Sequence, residues 1–196
     1  MSLTFQKIIV VILIILAVSS IYLGSYLPFG KSERYISAMS AAGSAKSLQE
    51  FEANYDNVFK FYSPIGQEEV VKFFGNDVMS LLNQANQPEA VARALADYIE
   101  PMLLENNVRH VIMGGNMYLS LWYNYGRKDA DFRKVEDYYL KAYAIGPKLP
   151  PVLYGLLNAY LLKDDKAKIQ EFGNIILSYW PKDQSVQGYI DKARGL

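Results

Sequence analysis

The side chains able to do chemistry are few, and their spacing argues against catalysis. Glu68 and Glu69 are adjacent, so on a helix they point about 100° apart and cannot flank one substrate bond. A negative first turn complementing the helix dipole explains them better. Asp129 with Asp131, and Asp164 with Asp165, lack the spaced oxygens, central glycine and distal glutamate of a calcium loop, and are read as helix N-caps. Met113-Gly114-Gly115-Asn116 lacks the spacing of a phosphate loop and a preceding strand. Close helix packing, or a break before a helix, accounts for it. With no cysteine, disulfides, zinc thiolates and thiol nucleophiles are excluded. The single histidine, His110 beside Arg109, reads as a surface or helix-end residue and gives a Ser-His-Asp triad only one place to stand. No catalytic residue, cofactor or metal is expected, and the chain is read as a non-enzyme.

Charge narrows the partners. Over 196 residues the formal net charge is zero, and setting aside Lys7 and Lys31 leaves 18 basic against 20 acidic side chains. An evenly mixed, faintly acidic surface lacks the basic face of a nucleic-acid binder. The 16 tyrosines fall mostly at helical spacing among apolar residues, where a phenol supplies a large buried ring with a hydroxyl at its edge.

The elements that position these residues begin with an anchor. No charged residue occurs from Ile8 to Gly30, which is 23 positions. About 20 helical residues cross the ~30 Å bilayer core. Tyr22, Tyr26 and Phe29 lie beside Pro28 and Lys31, as where a helix leaves lipid through an aromatic belt. Ala17-Val18-Ser19 has the form of a signal cleavage site, but the apolar stretch continues past it through Leu23, which favours an uncleaved signal anchor. A short N-terminus before a first apolar span favours an N-in orientation, with residues 31–196 outside the cytoplasm.

About 165 residues follow, enough for one domain with a core. Ser32 is placed to cap a short helix with Ile36 and Met39, and the small-residue stretch 40–45 reads as a flexible stalk. Ser47-Leu48-Gln49-Glu50 is a capping box in which serine bonds the Glu50 amide and glutamate reaches back to the serine amide. Phe51, Tyr55, Val58, Phe59 and Tyr62 follow helical spacing, and Ser63-Pro64-Ile65-Gly66 ends that helix. A second helix is expected over 67–86, and a third from Pro88 that kinks or breaks at Pro101. No sustained strand alternation occurs, so the fold class is all-α.

The last 90 residues carry a repeat. Pro147 and Pro181 stand 34 apart. Without a gap, Leu119 falls on Leu153, Trp122 on Leu156, Tyr123 on Leu157, Val135 on Ile169 and Ala142 on Ile176. A 34-residue period of helix, turn, helix and closing proline resembles the tetratricopeptide repeat, abbreviated TPR. The resemblance covers residues 116–181 in two divergent units. It is strongest at Tyr138, Tyr139, Ala142 and Pro147, and at Leu156 and Tyr160. Gly126 and Gly173 stand where aromatics are expected, and Ile169 and Ile176 where small residues are. Two repeats are marginal alone. A polar capping helix is therefore expected at 184–194, with the helices of 48–107 on the other end. The organisation reads as a transmembrane signal anchor (1–31), a short helix and stalk (32–47), a helical N-terminal part (48–107), two TPR-like repeats (108–182) and the cap (183–196).

The resemblance implies a recognition groove, lined by the first helix of each repeat, for an extended peptide or a partner helix. Tyr154, Asn158 and Leu161 would face it in one repeat, and Ser120, Asn124 and Arg127 in the other. Asn124 and Asn158 share one register position, and their amides suit a peptide backbone. The leading expectation is a membrane-anchored TPR-like adaptor or scaffold for another envelope or membrane protein, held by the bilayer through residues 8–30. Tyr62-Ser63-Pro64-Ile65-Gly66-Gln67-Glu68-Glu69 before degenerate repeats is also similar to soluble regions appended to O-antigen ligase or polymerase-like membrane proteins. That resemblance implies an accessory subunit of a surface-polysaccharide system. A structural component assembling through its N-terminal helix is a third expectation, although that helix has no GxxxG.

Overall fold

The structure is a computed structural model describing residues 3–84 and 86–195. Among the described residues every regular element is helical, as the missing strand pattern requires. The chain divides into two compact units, residues 1–74 and 75–196.

In the first unit, α1 (Leu3–Ile21) passes through a π-turn (Tyr22–Tyr26) into α2 (Leu27–Ala42) without interruption. The π-turn has a local cause. Pro28 has no N–H and its ring crowds the carbonyl four residues back, and the chain widens just before it, with the Leu27 N–H bonded to the Tyr22 carbonyl five residues away. The expected helix start at Ser32 is corrected accordingly, as is the first half of the expected stalk at 40–45, since only residues 43–45 leave the helix. Ser32 Oγ donates to the Pro28 carbonyl inside the helix, and α2 ends only at Ala42. This 40-residue helix is long and apolar enough to cross a membrane, and none of its most apolar window is buried.

Beyond the short turn at 43–47, α3 (Leu48–Phe59) packs against α2. Ser47 Oγ accepts from the Glu50 amide, as expected, but the Glu50 carboxylate accepts from the Lys46 amide rather than that of Ser47. Phe51, Tyr55 and Val58 are buried. The Tyr55 ring lies 4.3 Å from that of Phe74 of α4 (Gln67–Leu82), tilted by 44°, and Phe59 meets the same ring at 5.4 Å. Tyr62 does not join this face. It lies past the helix end and is 70% exposed.

The second unit takes in the end of α4, followed by α5 (Glu89–Ile99) and a 3₁₀ turn (Glu100–Met102) at Pro101. The expected 67–86 helix stops at Leu82; Ala85 lies outside the described residues, as do residues 1, 2 and 196 of the expected terminal segments. Next come α6 (Val108–Asn124), α7 (Asp129–Ile145), α8 (Pro150–Lys163), α9 (Lys166–Tyr179) and α10 (Gln184–Arg194). Each packs on the next, and α6 also touches α8.

Burial follows the 34-residue period in the second helix of each pair. Val135 with Ile169 and Ala142 with Ile176 are buried, and α7 and α9 end 34 residues apart, at Ile145 and Tyr179. In the first helices Leu119, Leu153, Trp122 and Leu156 are buried, whereas Tyr123 is 53% exposed against buried Leu157. The gapless register then fails. α6 ends at Asn124 in a turn with φ +86° at Gly126 and +51° at Arg127, while α8 runs on to Lys163 and stops at Asp164, φ +60°.

Three glycines admit two tyrosine rings. A Cβ on Gly114 would stand 2.5 Å from the Tyr138 ring, one on Gly115 2.8 Å from the Tyr139 ring, and one on Gly155 would also strike Tyr139. Met113-Gly114-Gly115-Asn116 is therefore helix interior whose missing side chains allow close packing. Gly173, where an aromatic was expected, leaves room for Ile190 of α10, 2.7 Å from the position a Cβ would take. α10 spans the expected 184–194 and buries Val186 and Ile190.

Alanine at a helical glycine stabilises by about 0.5–1 kcal/mol where space allows, but overpacking costs about 1–3 kcal/mol. Gly115→Ala is therefore expected to lower stability by about 1–2 kcal/mol, and Gly188→Ala, with nothing within 4 Å, to raise it by about 0.5–1 kcal/mol. Chemical denaturation of the full chain in detergent, read by circular dichroism, checks both signs.

Candidate interaction recess

The six residues expected to line a groove fall in different settings. Ser120 and Asn124 sit one turn apart on α6, half-buried and exposed respectively. Arg127 is off the helix, in the α6–α7 turn, with its guanidinium 5.1 Å from the Trp122 ring and 5.5 Å from that of Tyr123. Its helical, groove-facing placement is corrected, because the positive φ of Gly126 and Arg127 ends α6 early. On α8, Tyr154 is committed within the chain. Its hydroxyl donates to Asp183 at 2.6 Å and its ring stands 5.9 Å from Trp180. The Asp183 hydrogen bond, with lesser burial, pushes the phenol up to about 12. Asn158 is exposed and Leu161 half-buried.

One of the six, Asn124, borders a recess of about 320 Å³ that is bounded also by Leu82, Asn83, Gln84, Asn86, Gln87 and Tyr125. Five carboxamides converge there with no charged side chain in the lining. Asn124 Nδ2 donates to Asn83 Oδ1 at a long 3.4 Å, and Tyr125 Oη donates to the Gln87 carbonyl at 3.0 Å, fixing the loop before α5 to the end of α6. Each carboxamide offers donors and acceptors together, the chemistry that pairs with a peptide backbone. The run Asn83-Gln84-Ala85-Asn86-Gln87 signals this in the sequence, where Gln87-Pro88 reads only as a helix stop. No protein-family model, curated protein or solved structure matches this chain.

Polar ties that sequence spacing does not reveal join the helices of this unit. Arg93 of α5 grips Asp131 of α7 bidentately at 2.9 and 2.8 Å and bonds Glu89 at 2.7 Å, and Glu89 also pairs with Lys128. Asp131, expected to cap a helix, is a buried ion-pair partner, and Lys128 occupies the N-cap position without a side-chain capping bond to α7. At the other acidic pair, Asp165 does cap α9, accepting from the Lys168 amide at 3.0 Å, and Asp164 ends α8. His110 is buried in the first turn of α6, not on the surface, and its Nδ1 accepts from the Leu104 amide at 3.1 Å.

Glu100 is the second knot. It accepts from Tyr118 at 2.6 Å, Tyr138 at 2.8 Å and Lys134 at 2.6 Å, joining the 3₁₀ turn to α6 and α7. Burial works to raise its carboxyl, but these donors outweigh burial and hold it below the usual carboxylate range. Burial and the same carboxylate push the Tyr118 and Tyr138 phenols up.

A carboxyl depressed in the folded chain contributes stability above its unfolded value, near 4.3, and loses that contribution as pH falls through the folded value. Denaturant titrations between pH 7 and pH 3 should therefore show Glu100→Gln less stable at neutrality by about 1–3 kcal/mol and with a flatter acid limb. Parallel acid limbs for both proteins would contradict the assignment.

Proposed function

We propose that this chain is a membrane-anchored, tetratricopeptide-like adaptor that holds another envelope or membrane protein at the bilayer and performs no chemistry of its own. The carboxamide recess is the observation that carries the reading. Its lining is neutral, so it selects for backbone amides and carbonyls rather than for a charged ligand. It sits at the end of α6, the first helix of the first pair, where an extended segment meets both donors and acceptors. The helical pairs α6–α7 and α8–α9, closed by α10, support a repeat scaffold, since terminal units of such arrays need a covering element. The exposed helix at Leu3–Ala42 supports residues 8–30 as the span, with N-in topology and the helical units outside the cytoplasm.

Asn83 and Asn124 are proposed to take the partner's backbone, with exposed Asn158 on α8 as a further contact. Losing two or three hydrogen bonds of about 1 kcal/mol each lowers affinity by roughly tenfold or more. Crosslinking in intact membranes, followed by purification through a tag on this chain, should recover one stoichiometric partner. Asn83→Ala with Asn124→Ala should lose most of it, and Asn158→Ala a smaller share. Recovery of no membrane partner, or equal recovery by the triple variant, sinks the proposal.

A further inference from the structure

The turn at residues 61–66 is held at both ends against one level of the N-terminal helix. Lys31 is buried, 2% exposed, and its Nζ donates to the Phe61 carbonyl at 2.8 Å. The Arg34 guanidinium lies 3.8 Å from the centre of the Phe61 ring, and a Cβ on Gly30 would stand 3.2 Å from that ring. At the other end, the position of a Cβ on Gly66 is 4.0 Å from Lys31 Cδ. Inside the turn, Ser63 Oγ donates to the Ile65 carbonyl at 2.6 Å, and Gly66 takes φ +92°. Apart from half-buried Ser63, the side chains between these fixed ends are apolar or aromatic and exposed: Tyr62 is 70% exposed and Ile65 59%, with Pro64 between them also exposed.

The level matters. Residues 8–30 form a helix about 34 Å long, and the hydrocarbon core is about 30 Å thick, with several further ångströms of headgroup on each side. Gly30 and Lys31 thus stand in the headgroup layer when the uncharged stretch fills the core. Tyr26 and Phe29, 65% and 68% exposed, belong to the same belt. A lysine at the end of a span ordinarily extends its ammonium outward to water. Here the ammonium is capped by the Phe61 carbonyl, so the turn is carried into the layer where Lys31 sits. Exposed apolar side chains grouped in one short turn, unlike scattered single ones, mark an interaction surface, and tyrosine favours the headgroup boundary, where its ring is in an apolar setting and its hydroxyl is wet.

We propose that residues 61–66 are a second membrane contact, with Tyr62, Pro64 and Ile65 seated in the headgroup layer beside the exit of the anchor helix. The proposal rests on residues 8–30 being a bilayer span. Two attachments fix the tilt and rotation of this unit on the bilayer, which a lone helix leaves free.

The chain has no cysteine, so single reporters can be placed in the full-length protein. Ile65→Cys, Tyr62→Cys, Leu13→Cys and Asn57→Cys are each labelled with an environment-sensitive fluorophore. The labelled proteins are then reconstituted into phosphatidylcholine vesicles carrying nitroxides either on the headgroup or deep in the acyl chain. The reporters at 62 and 65 should be blue-shifted and lose most of their emission to the headgroup nitroxide. Leu13 should respond to the deep nitroxide, and Asn57, exposed on α3, to neither. Ile65 and Tyr62 matching Asn57 while Leu13 remains quenched overturns the second contact and leaves the span intact. Blue-shifted emission at 65 without lipid quenching also overturns it, pointing to a second copy of the chain as the cover. Loss of quenching at Leu13 overturns the span and this proposal together.

Discussion

In the unit of residues 75–196 the arrangement depends on where the Tyr139 ring goes. It occupies the space left by Gly115 on α6 and Gly155 on α8, and its hydroxyl donates to Asn116 at 2.6 Å. Three helices therefore share one ring. A Cβ on either glycine would fall inside its van der Waals envelope, so α6 and α8 hold their spacing only while both positions stay bare. Burial pushes the phenol up to about 12. Gly114 and Tyr138 repeat the device one residue earlier, and there the tyrosine ends on Glu100. Close approach of α6 and α7 and the seating of the 3₁₀ turn are consequences of the same packing.

The polar ties act differently. A surface ion pair contributes roughly 0–1 kcal/mol, so Lys60 with Asp56 or Lys168 with Glu171, both pairs exposed, decide little. Arg93 with Asp131 is another case, because the Asp131 side chain is only 6% exposed. Removing one member would strand a buried charge at a cost of about 3–5 kcal/mol, although a well-packed apolar pair in its place could be neutral. The pair is best understood as fixing register. It accepts α7 against α5 in one position, and Glu89 with Lys128 extends the same choice to the turn that precedes α7.

What the sequence made legible was set by local rules. Helix ends at Ser47 and Asp165 follow from side-chain capping, Pro101 marks the end of α5, and α10 lies where its polar pattern places it. Features that depend on three-dimensional approach stayed hidden. Arg93 and Asp131 are 38 residues apart, and no helical period relates them. The role of the glycines was half visible: their presence suggested close packing, but the rings they admit lie on other helices. Gly173 is the clearest case, because it departs from the repeat pattern only when the repeat is read alone. With Ile190 inserted beside it, the same residue is the seat of the capping helix. Arg127 lies off α6 for a related reason. A gapless shift assumes equal first helices, and α8 outlasts the equivalent end of α6 because its turn comes later.

The same contrast between local and spatial information bears on the N-terminal unit. Composition alone marks residues 8–30 as apolar, and it marks 40–45 as a flexible stalk, which would leave the helical part free to swing. The continuous helix to Ala42 and the clamp of Phe61 by Gly30, Lys31 and Arg34 argue for the opposite mechanical character. The π-turn before Pro28 lets the helix pass a residue that would otherwise break it, so rigidity is transmitted past the end of the apolar segment. An adaptor tethered by a flexible stalk samples a large volume and meets its partner at a low effective concentration. A continuous helix gives up that reach and holds α3 and the turn at 61–66 in a fixed relation to the end of the apolar segment, which would suit the proposed adaptor if its partner's own position in the membrane is also constrained.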